Sequence, residues 1–174
     1  ELDTLFTRVG QETIQADFNS QPNKEEREKF SFHSFGAVFV EVRVDIFGQA
    51  RVQRVVGVYD VGRILNPVLA RSQITGGIIF AIGTALMEAT MPDPRLGRFV
   101  NANLAEYHLP VHADTPPQLD IDFINQPDPH MPAPGVRGIG EIGITGAPAA
   151  IANAVYHATG KRVRDLPITP DKLI

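Results

Sequence analysis

One stretch of the chain alternates apolar and polar residues strictly enough to define a strand. Its apolar positions are four valines spaced two residues apart, Val38, Val40, Val42 and Val44, and this period of two is typical of a half-buried β-strand. The segment that follows ends in Gly48, which adopts a positive φ at little steric cost. A second run then returns over residues 49–59, with valines at positions 52, 55, 56 and 58. We therefore predict a long antiparallel hairpin.

The next constraint comes from glycines inside a predicted helix. Asn66 suits an N-cap and Pro67 the first helical position, and apolar residues at helical spacing continue to about Thr90. This run contains Gly76, Gly77 and Gly83, and each glycine costs the helix roughly 1 kcal/mol relative to alanine. We expect another backbone or a ligand to approach the helix closely at these positions.

The second half of the chain combines a proline-rich segment with another predicted helix. Residues 91–135 hold nine of the fourteen prolines, which is typical of a segment that wraps over a surface, and one short strand is predicted at Leu119–Ile124. Thr145 is predicted to cap a helix over 146–159, which Gly160 ends. The predicted fold class is α+β: an antiparallel hairpin or sheet with two main helices and a proline-rich wrapping segment.

Length and composition fit one globular domain. The chain has 174 residues, of which 43% are hydrophobic, enough to bury a core. We expect residues 1–30 to form a polar, partly irregular segment and residues 31–174 to form the domain. No initiator Met and no targeting signal are visible, so the chain is either a processed protein or the tail of a longer one. The motifs favour the tail of a longer protein. Its compartment, cytoplasmic or periplasmic, stays open.

Charge and cysteine usage exclude several classes of function. The net charge of −4 and the pI of about 5.7 give no electrostatic reason to bind nucleic acid or an anionic membrane. The longest apolar run, Ile78–Ile82, is too short to span a bilayer. The chain has no cysteine, which excludes disulfides, thiolate metal ligands and iron–sulfur ligation. Redox chemistry would therefore need another chain or a bound cofactor.

Glu141 is the first candidate functional residue. It is the only charged residue between Gly138 and Ala150, and a carboxylate in such apolar surroundings can serve as a general base. The flanking Gly140 and Gly143 would leave room for a ligand to approach the backbone. The alternative is a surface glutamate in a glycine-rich turn, and the residues alone favour neither strongly.

Gln73 is the second candidate, because it interrupts an apolar helical pattern. A buried amide needs hydrogen-bond partners, so Gln73 either fastens two elements together or binds a polar ligand. No metal ligands are predicted: His108 and His112 are four residues apart, but Pro110 between them disfavours a regular helix.

The glycine-rich segment 135–143 contains G-x-G-x-x-G at residues 138–143. This motif binds dinucleotides only when it follows a strand, and Pro132 and Pro134 argue against a strand here. What the motif still predicts is a cradle of backbone N–H groups that could hold an anionic or polar cofactor.

Three blocks of the chain carry a family resemblance: residues 34–45 with the return strand, residues 59–67 running into 73–77, and residues 138–145 running through 150–160 to Leu166-Pro167. In their order and spacing they resemble the C-terminal part of the molybdenum-binding subunit of the xanthine dehydrogenase and aldehyde oxidase family. The resemblance spans residues 31–174. The third block is most similar to bacterial aldehyde oxidoreductases, because it has Glu-Ile-Gly in place of Glu-Pro-Pro.

The resemblance implies a role for each candidate residue. Glu141 matches the catalytic glutamate, a general base in the oxidative hydroxylation of aldehydes or aromatic heterocycles with water as oxygen source. Gln73 matches a glutamine that hydrogen-bonds the pterin. The remaining implied cofactor contacts are Asn66 and Leu69 in the lining segment and the backbone of Arg137, Gly138, Ile139 and Gly140. The protein supplies no metal ligand, because pterin sulfurs hold the molybdenum.

The resemblance also implies partners. The cofactor would be a molybdenum–pterin group, in the cytosine dinucleotide form or another. Earlier domains of the same subunit would complete the pocket for a small-molecule substrate, and iron–sulfur and FAD groups would lie on other chains or domains. The chain alone is then expected to be inactive. The alternative is a non-catalytic assembly or docking module with a vestigial or incomplete cofactor site.

Overall fold

The computed structural model describes residues 2–10, 13, 15, 17, 20–21, 24–132 and 134–174. Its helices are α1 (Leu2–Val9), α2 (Lys24–Lys29), α3 (Pro67–Leu86) and α4 (Ala147–Thr159). Its strands are β1 (Phe35–Val44), β2 (Ala50–Asp60), β3 (Pro92–Asp93), β4 (Arg98–Phe99) and β5 (Gln118–Phe123). Short 3₁₀ turns cover His112–Asp114 and Pro170–Lys172. The α+β fold class is thus confirmed.

The main sheet has three strands in the order β1-β2-β5. β1 and β2 pair antiparallel, which confirms the predicted hairpin, and Gly48 in its turn has φ 79°. The pairing register slips by one residue opposite Glu41 and Val42. This bulge lets Val52 and Val55, three residues apart on β2, both face the core. β5 pairs with β2 in parallel, a pairing that the sequence did not predict.

One side chain of β2 fills the space over two glycines. A Cβ on Gly36 or Gly57 would lie 2.5 or 2.7 Å from the Tyr59 ring. The ring therefore packs flat over the sheet at these positions and is buried. Burial raises the pKa of the Tyr59 hydroxyl. This packing fixes the end of β2, where Asp60 leads into the candidate site.

The core lies between the sheet and helices α3 and α4. Ile74, Ile78 and Ile82 of α3, each four residues after the last, are at most 2% exposed and pack with Ile151 and Val155 of α4. With a mean hydropathy of 1.3 over 20 residues, α3 has the length and composition of a membrane span. Its buried face shows instead that α3 is a core helix of this fold.

The helix termini differ from the predictions in two places. α3 ends at Leu86 rather than near Thr90, because the N–H groups of Met87 and Glu88 both donate to the Gly83 carbonyl. The N-cap of α4 is Gly146, at φ 81°. Thr145 does not cap it, because its hydroxyl donates to the Glu141 carbonyl at 3.2 Å. Gly160 ends α4 at φ 73°, as predicted.

Two segments contain more regular structure than the sequence indicated. The first 30 residues, predicted to be partly irregular, include the short helices α1 and α2. The proline-rich segment contains the small β3–β4 pair besides β5. Asn101 holds this pair beside α3: its amide donates to the Ala89 carbonyl at 2.6 Å and accepts from the Met91 N–H at 3.0 Å.

Candidate functional site

The glycine-rich loop 135–146 lies against the chain just after β2. Val136 forms an isolated antiparallel bridge with Gly62. The Arg137 N–H donates to the Val61 carbonyl at 2.8 Å, and the Arg63 N–H donates to the Gly135 carbonyl at 3.0 Å. These backbone bonds hold the start of the loop at the end of the sheet.

The other end of the loop packs directly on the backbone of α3. A Cβ on Gly77 would lie 2.8 Å from the Ile144 nitrogen, and one on Gly143 would lie 2.8 Å from the Ile74 carbonyl oxygen. The expected backbone approach is therefore confirmed at Gly77. At Gly143 the backbone of α3 occupies the space beside the glycine. The expectation that Gly143 leaves room for a ligand is therefore wrong.

Glu141 lies in a tight turn between these two attachments. Its carbonyl accepts from the N–H groups of Ile144 and Thr145 at 3.2 and 3.3 Å. Its side chain is exposed, and no described group hydrogen-bonds to its carboxylate. The carboxylate borders a groove of about 450 Å³ between the loop and α3. The groove is lined by Ser72, Gln73, Gly76, Gly77, Phe80, Gly140, Glu141 and Ile144. The described part of the chain therefore does not enclose the Glu141 side chain in apolar surroundings.

Gln73 joins α3 to the loop. Its side-chain amide donates to the Gly140 carbonyl at 2.5 Å, so the predicted fastening role is present. The expectation that Gln73 is buried is wrong, because its side chain is exposed. Gln73 faces outward on α3, one residue before the core residue Ile74, and this leaves its amide available to a ligand as well.

A second groove of about 430 Å³ lies on the other side of the Gln73–Gly140 bond. Asn66 lies at its edge and caps α3, its Oδ1 accepting from the N–H groups of Val68 and Leu69 at 3.1 Å. This groove is lined by Val61, Arg63, Ile64, Leu65, Asn66, Leu69, Ala70, Gln73, Val136, Arg137, Ile139 and Gly140. The predicted site residues therefore converge on two adjoining grooves, except Gly138, which lies in the same loop but borders neither.

Three glycines around the grooves are not required by any contact within the part of the chain that the structure describes. No described atom lies within 4 Å of a Cβ built on Gly76, Gly138 or Gly140, and none of the three has a positive φ. Their missing side chains keep backbone groups open to an external group, as a cradle for a large polar cofactor requires. By contrast, the side chains of Glu88 and Pro110 occupy the space beside Gly83. The expected approach of a backbone or a ligand is therefore wrong at Gly83.

A cluster of charged side chains at the site is centred on Arg137. Its guanidinium pairs with the Asp60 carboxylate and lies 3.5 Å from an oxygen of Asp128. The hydrogen bond from Arg137 lowers the pKa of the Asp60 carboxyl. The sequence did not identify Asp60 or Asp128 as site residues, because they are 77 and 9 positions from Arg137 and only the fold brings them together.

Comparison with known proteins assigns the family. The molybdopterin cofactor-binding domain family matches residues 5–116. The chain belongs to this family. The aldehyde oxidoreductase molybdenum-binding subunit PaoC of Escherichia coli K12 is 51% identical over 142 residues, which is 81% of this chain and 19% of PaoC. The putative xanthine dehydrogenase molybdenum-binding subunit XdhA of the same strain is 40% identical over 141 residues, 80% of this chain and 18% of XdhA.

Solved structures give the same assignment. The aldehyde oxidoreductase of Desulfovibrio desulfuricans superposes with a TM-score of 0.72 and 32% identity, covering 80% of this chain and 15% of that enzyme. Quinoline 2-oxidoreductase of Pseudomonas putida 86 gives 0.68 and 32%, covering 75% and 17%. The resemblance drawn from the three sequence blocks is confirmed. The chain spans about a fifth of the length of the curated relatives it matches.

Proposed function

We propose that this chain forms one wall of the cofactor site in a molybdenum hydroxylase. Its substrates would be aldehydes or aromatic heterocycles, and water would supply the oxygen. The observation that carries the proposal is the Gln73–Gly140 bond, which places the Glu141 groove beside the groove with the open glycine backbone. Relatives named for aldehyde, xanthine, nicotine and quinoline chemistry support the substrate class.

The residues of the second groove suit a pterin. Gln73 would hydrogen-bond the pterin with the part of its amide that Gly140 does not use. Asn66 retains its NH₂ donors, since only its oxygen caps α3. Leu69 and Ile139 would give apolar contact, and the backbone of Arg137, Gly138 and Gly140 would contribute polar contacts.

Glu141 would be the general base. When bound, the molybdenum–pterin group supplies the redox centre and the site of oxygen transfer. The Glu141 carboxylate accepts a proton from the attacking oxygen, which turns a weak nucleophile into a strong one. The turn at residues 141–145 holds its backbone, and the exposed carboxylate leaves space for substrate between itself and the missing wall.

The test uses the complete subunit in its assembled enzyme. Glu141→Gln keeps the shape of the side chain but removes its basicity, so kcat should fall roughly 10²–10⁴-fold. Molybdenum content should stay normal, because Glu141 is not a metal ligand. Glu41→Gln, on the exposed face of β1, is the matched control and should retain activity. Full turnover of Glu141→Gln at full metal content would show that the base lies elsewhere.

The complete protein would need further components. We include in the proposal the rest of the molybdenum subunit, iron–sulfur and flavin groups on other chains or domains, and the cytosine dinucleotide form of the pterin. The alternative of a non-catalytic docking module has no observation in its favour. Glu141 and Gln73 line the same groove, which supports the catalytic proposal instead.

A further inference from the structure

Arg137 is held by three separate parts of the chain. Its Nη2 donates to Asp60 at the end of β2, its Nη1 donates to the His33 carbonyl at 2.7 Å, and its Nε lies 3.5 Å from Asp128 Oδ2. The side chains of Arg137, Asp60 and Asp128 are only 13%, 18% and 13% exposed. We call these three residues the Arg137 cluster.

The geometry of the cluster separates it from ordinary surface ion pairs. Exposed pairs contribute little to stability, and partly buried charges are costly unless their partners are placed well. Arginine suits this position because its N–H donors lie on three nitrogens of a rigid planar fork, whereas the donors of lysine all lie on one nitrogen. Two of the three guanidinium nitrogens donate hydrogen bonds within the chain, and the buried Nε faces Asp128 without a hydrogen bond to it. The Arg137 side chain is therefore held by the fold rather than turned toward a ligand.

The cluster lies immediately before the open glycines. Ser34, next to His33, donates its hydroxyl to the Gly138 carbonyl at 2.6 Å. Asp128 also accepts from the His130 N–H at 2.9 Å, which ties down the segment that leads into the loop. At the other side Gln73 holds Gly140. Residues 138–140 are therefore attached at both ends, by the Ser34 bond to Gly138 and by the Gln73 bond to Gly140. A Cβ on either glycine would still meet no described atom within 4 Å.

We propose that the Arg137 cluster is a positioning device, which fixes the backbone of residues 138–140 at the distance from α3 that the cofactor requires. The proposal rests on the proposed function, in which that backbone contacts the pterin. The side chains of Arg137, Asp60 and Asp128 act through the loop and need not touch cofactor or substrate. A rigid supporting shell of this kind is what holds a binding backbone in productive geometry.

The experiment compares Asp60→Asn and Arg137→Lys with wild type in the complete subunit within its enzyme. Asp60→Asn weakens the pair and keeps the side-chain shape. Arg137→Lys keeps the charge balance between the two aspartates but loses the fork, so it remains informative if the first variant folds poorly. Asp120→Asn is the matched control, because it breaks the exposed 2.6 Å pair of Asp120 with Arg54 in the same sheet.

Each variant is studied in two ways. Hydrogen exchange of residues 136–140 is measured with and without cofactor. The molybdenum content per subunit is then determined together with kcat and KM. Both test variants should speed exchange in this segment about tenfold, as expected for one lost charge-assisted hydrogen bond. Molybdenum content and kcat should fall while KM and exchange in α4 stay near wild type. Asp120→Asn should change neither measurement.

Unchanged exchange at 136–140 in both variants would overturn the proposal, as would an equal rise throughout the chain or the same effect in Asp120→Asn. If wild type itself carries no molybdenum, the proposed function fails. The exchange measurement without cofactor then still decides whether the cluster holds the loop.

Discussion

The contact between Gly77 and the Glu141 loop gives the most direct test of how the fold builds the site. In Gly77→Ala, the new Cβ would lie 2.8 Å from the Ile144 nitrogen and 2.9 Å from two Gly143 atoms. Optimal heavy-atom contacts are roughly 3.5–4.0 Å, so helix and loop must separate by about 0.6–1.2 Å. In Gly76→Ala, the new Cβ meets no described atom within 4 Å.

The two variants share one energetic term and differ in another. Each gains about 1 kcal/mol from replacing glycine in a helix interior. Only Gly77→Ala also suffers overpacking, which costs about 1–3 kcal/mol. The difference in unfolding free energy between the variants therefore isolates the backbone contact: Gly77→Ala should be about 1–3 kcal/mol less stable than Gly76→Ala.

The assay is urea denaturation of the chain at low concentration, followed by far-ultraviolet circular dichroism because the chain has no tryptophan. Gly143→Ala should behave like Gly77→Ala, since its Cβ would lie 2.8 Å from the Ile74 carbonyl oxygen. In the complete enzyme, Gly77→Ala should also lower kcat up to about a hundredfold, because it displaces Glu141 by a substantial fraction of an ångström. Equal stability of Gly76→Ala and Gly77→Ala would refute the reasoning.

Three further predictions follow from the same geometry. Gln73→Ala should weaken cofactor retention by about 1–3 kcal/mol and lower molybdenum occupancy in the complete enzyme more than the melting temperature of cofactor-free protein; equal losses would favour a purely structural role. Because Arg137 lowers the pKa of folded Asp60, the stabilisation from this carboxylate is complete above the unfolded pKa of about 3.9 and is lost as pH falls through the folded pKa. The difference in unfolding free energy between wild type and Asp60→Asn should therefore become smaller in acid. A difference that does not change with pH in urea titrations would contradict the pairing of Asp60 with Arg137. The isolated chain should be inactive, free of molybdenum and self-associated through its exposed apolar groove walls; elemental analysis and sedimentation would disprove this by finding stoichiometric molybdenum on a monomer.

Local chemistry made much of the fold predictable. The alternation of Val38 to Val44 and the turn at Gly48 specify the hairpin because strand period and turn geometry are properties of short segments. The same holds for the start of α3, where Asn66 and Pro67 act within one turn. These elements match the structure closely.

The errors occur where tertiary contacts decide. At the end of α3, the N–H groups of Met87 and Glu88 both donate to the Gly83 carbonyl, and Asn101, more than ten residues further on, fastens the segment that follows. The parallel pairing of β5 with β2 joins residues that are more than 60 positions apart. Gln73 lies within an apolar pattern, yet it is exposed, because α3 is apolar on both sides and only one side faces this core. The Arg137 cluster was missed for the same reason: long-range charge pairing leaves no local sequence pattern.

Helix α3 connects the stability of the chain to its site. Its inner side carries Ile74 and Ile78, which are fully buried against the sheet and α4. Its outer side carries Leu69 and Phe80, which are 66% and 62% exposed and border the two grooves. Arg71, Ser72 and Gln73 are also exposed on α3, so its outer side combines polar groups with apolar side chains, as a cofactor-binding wall requires. Under the proposed function, the other wall of the site would close over the cofactor on this outer side, and α3 is the element that both walls would share.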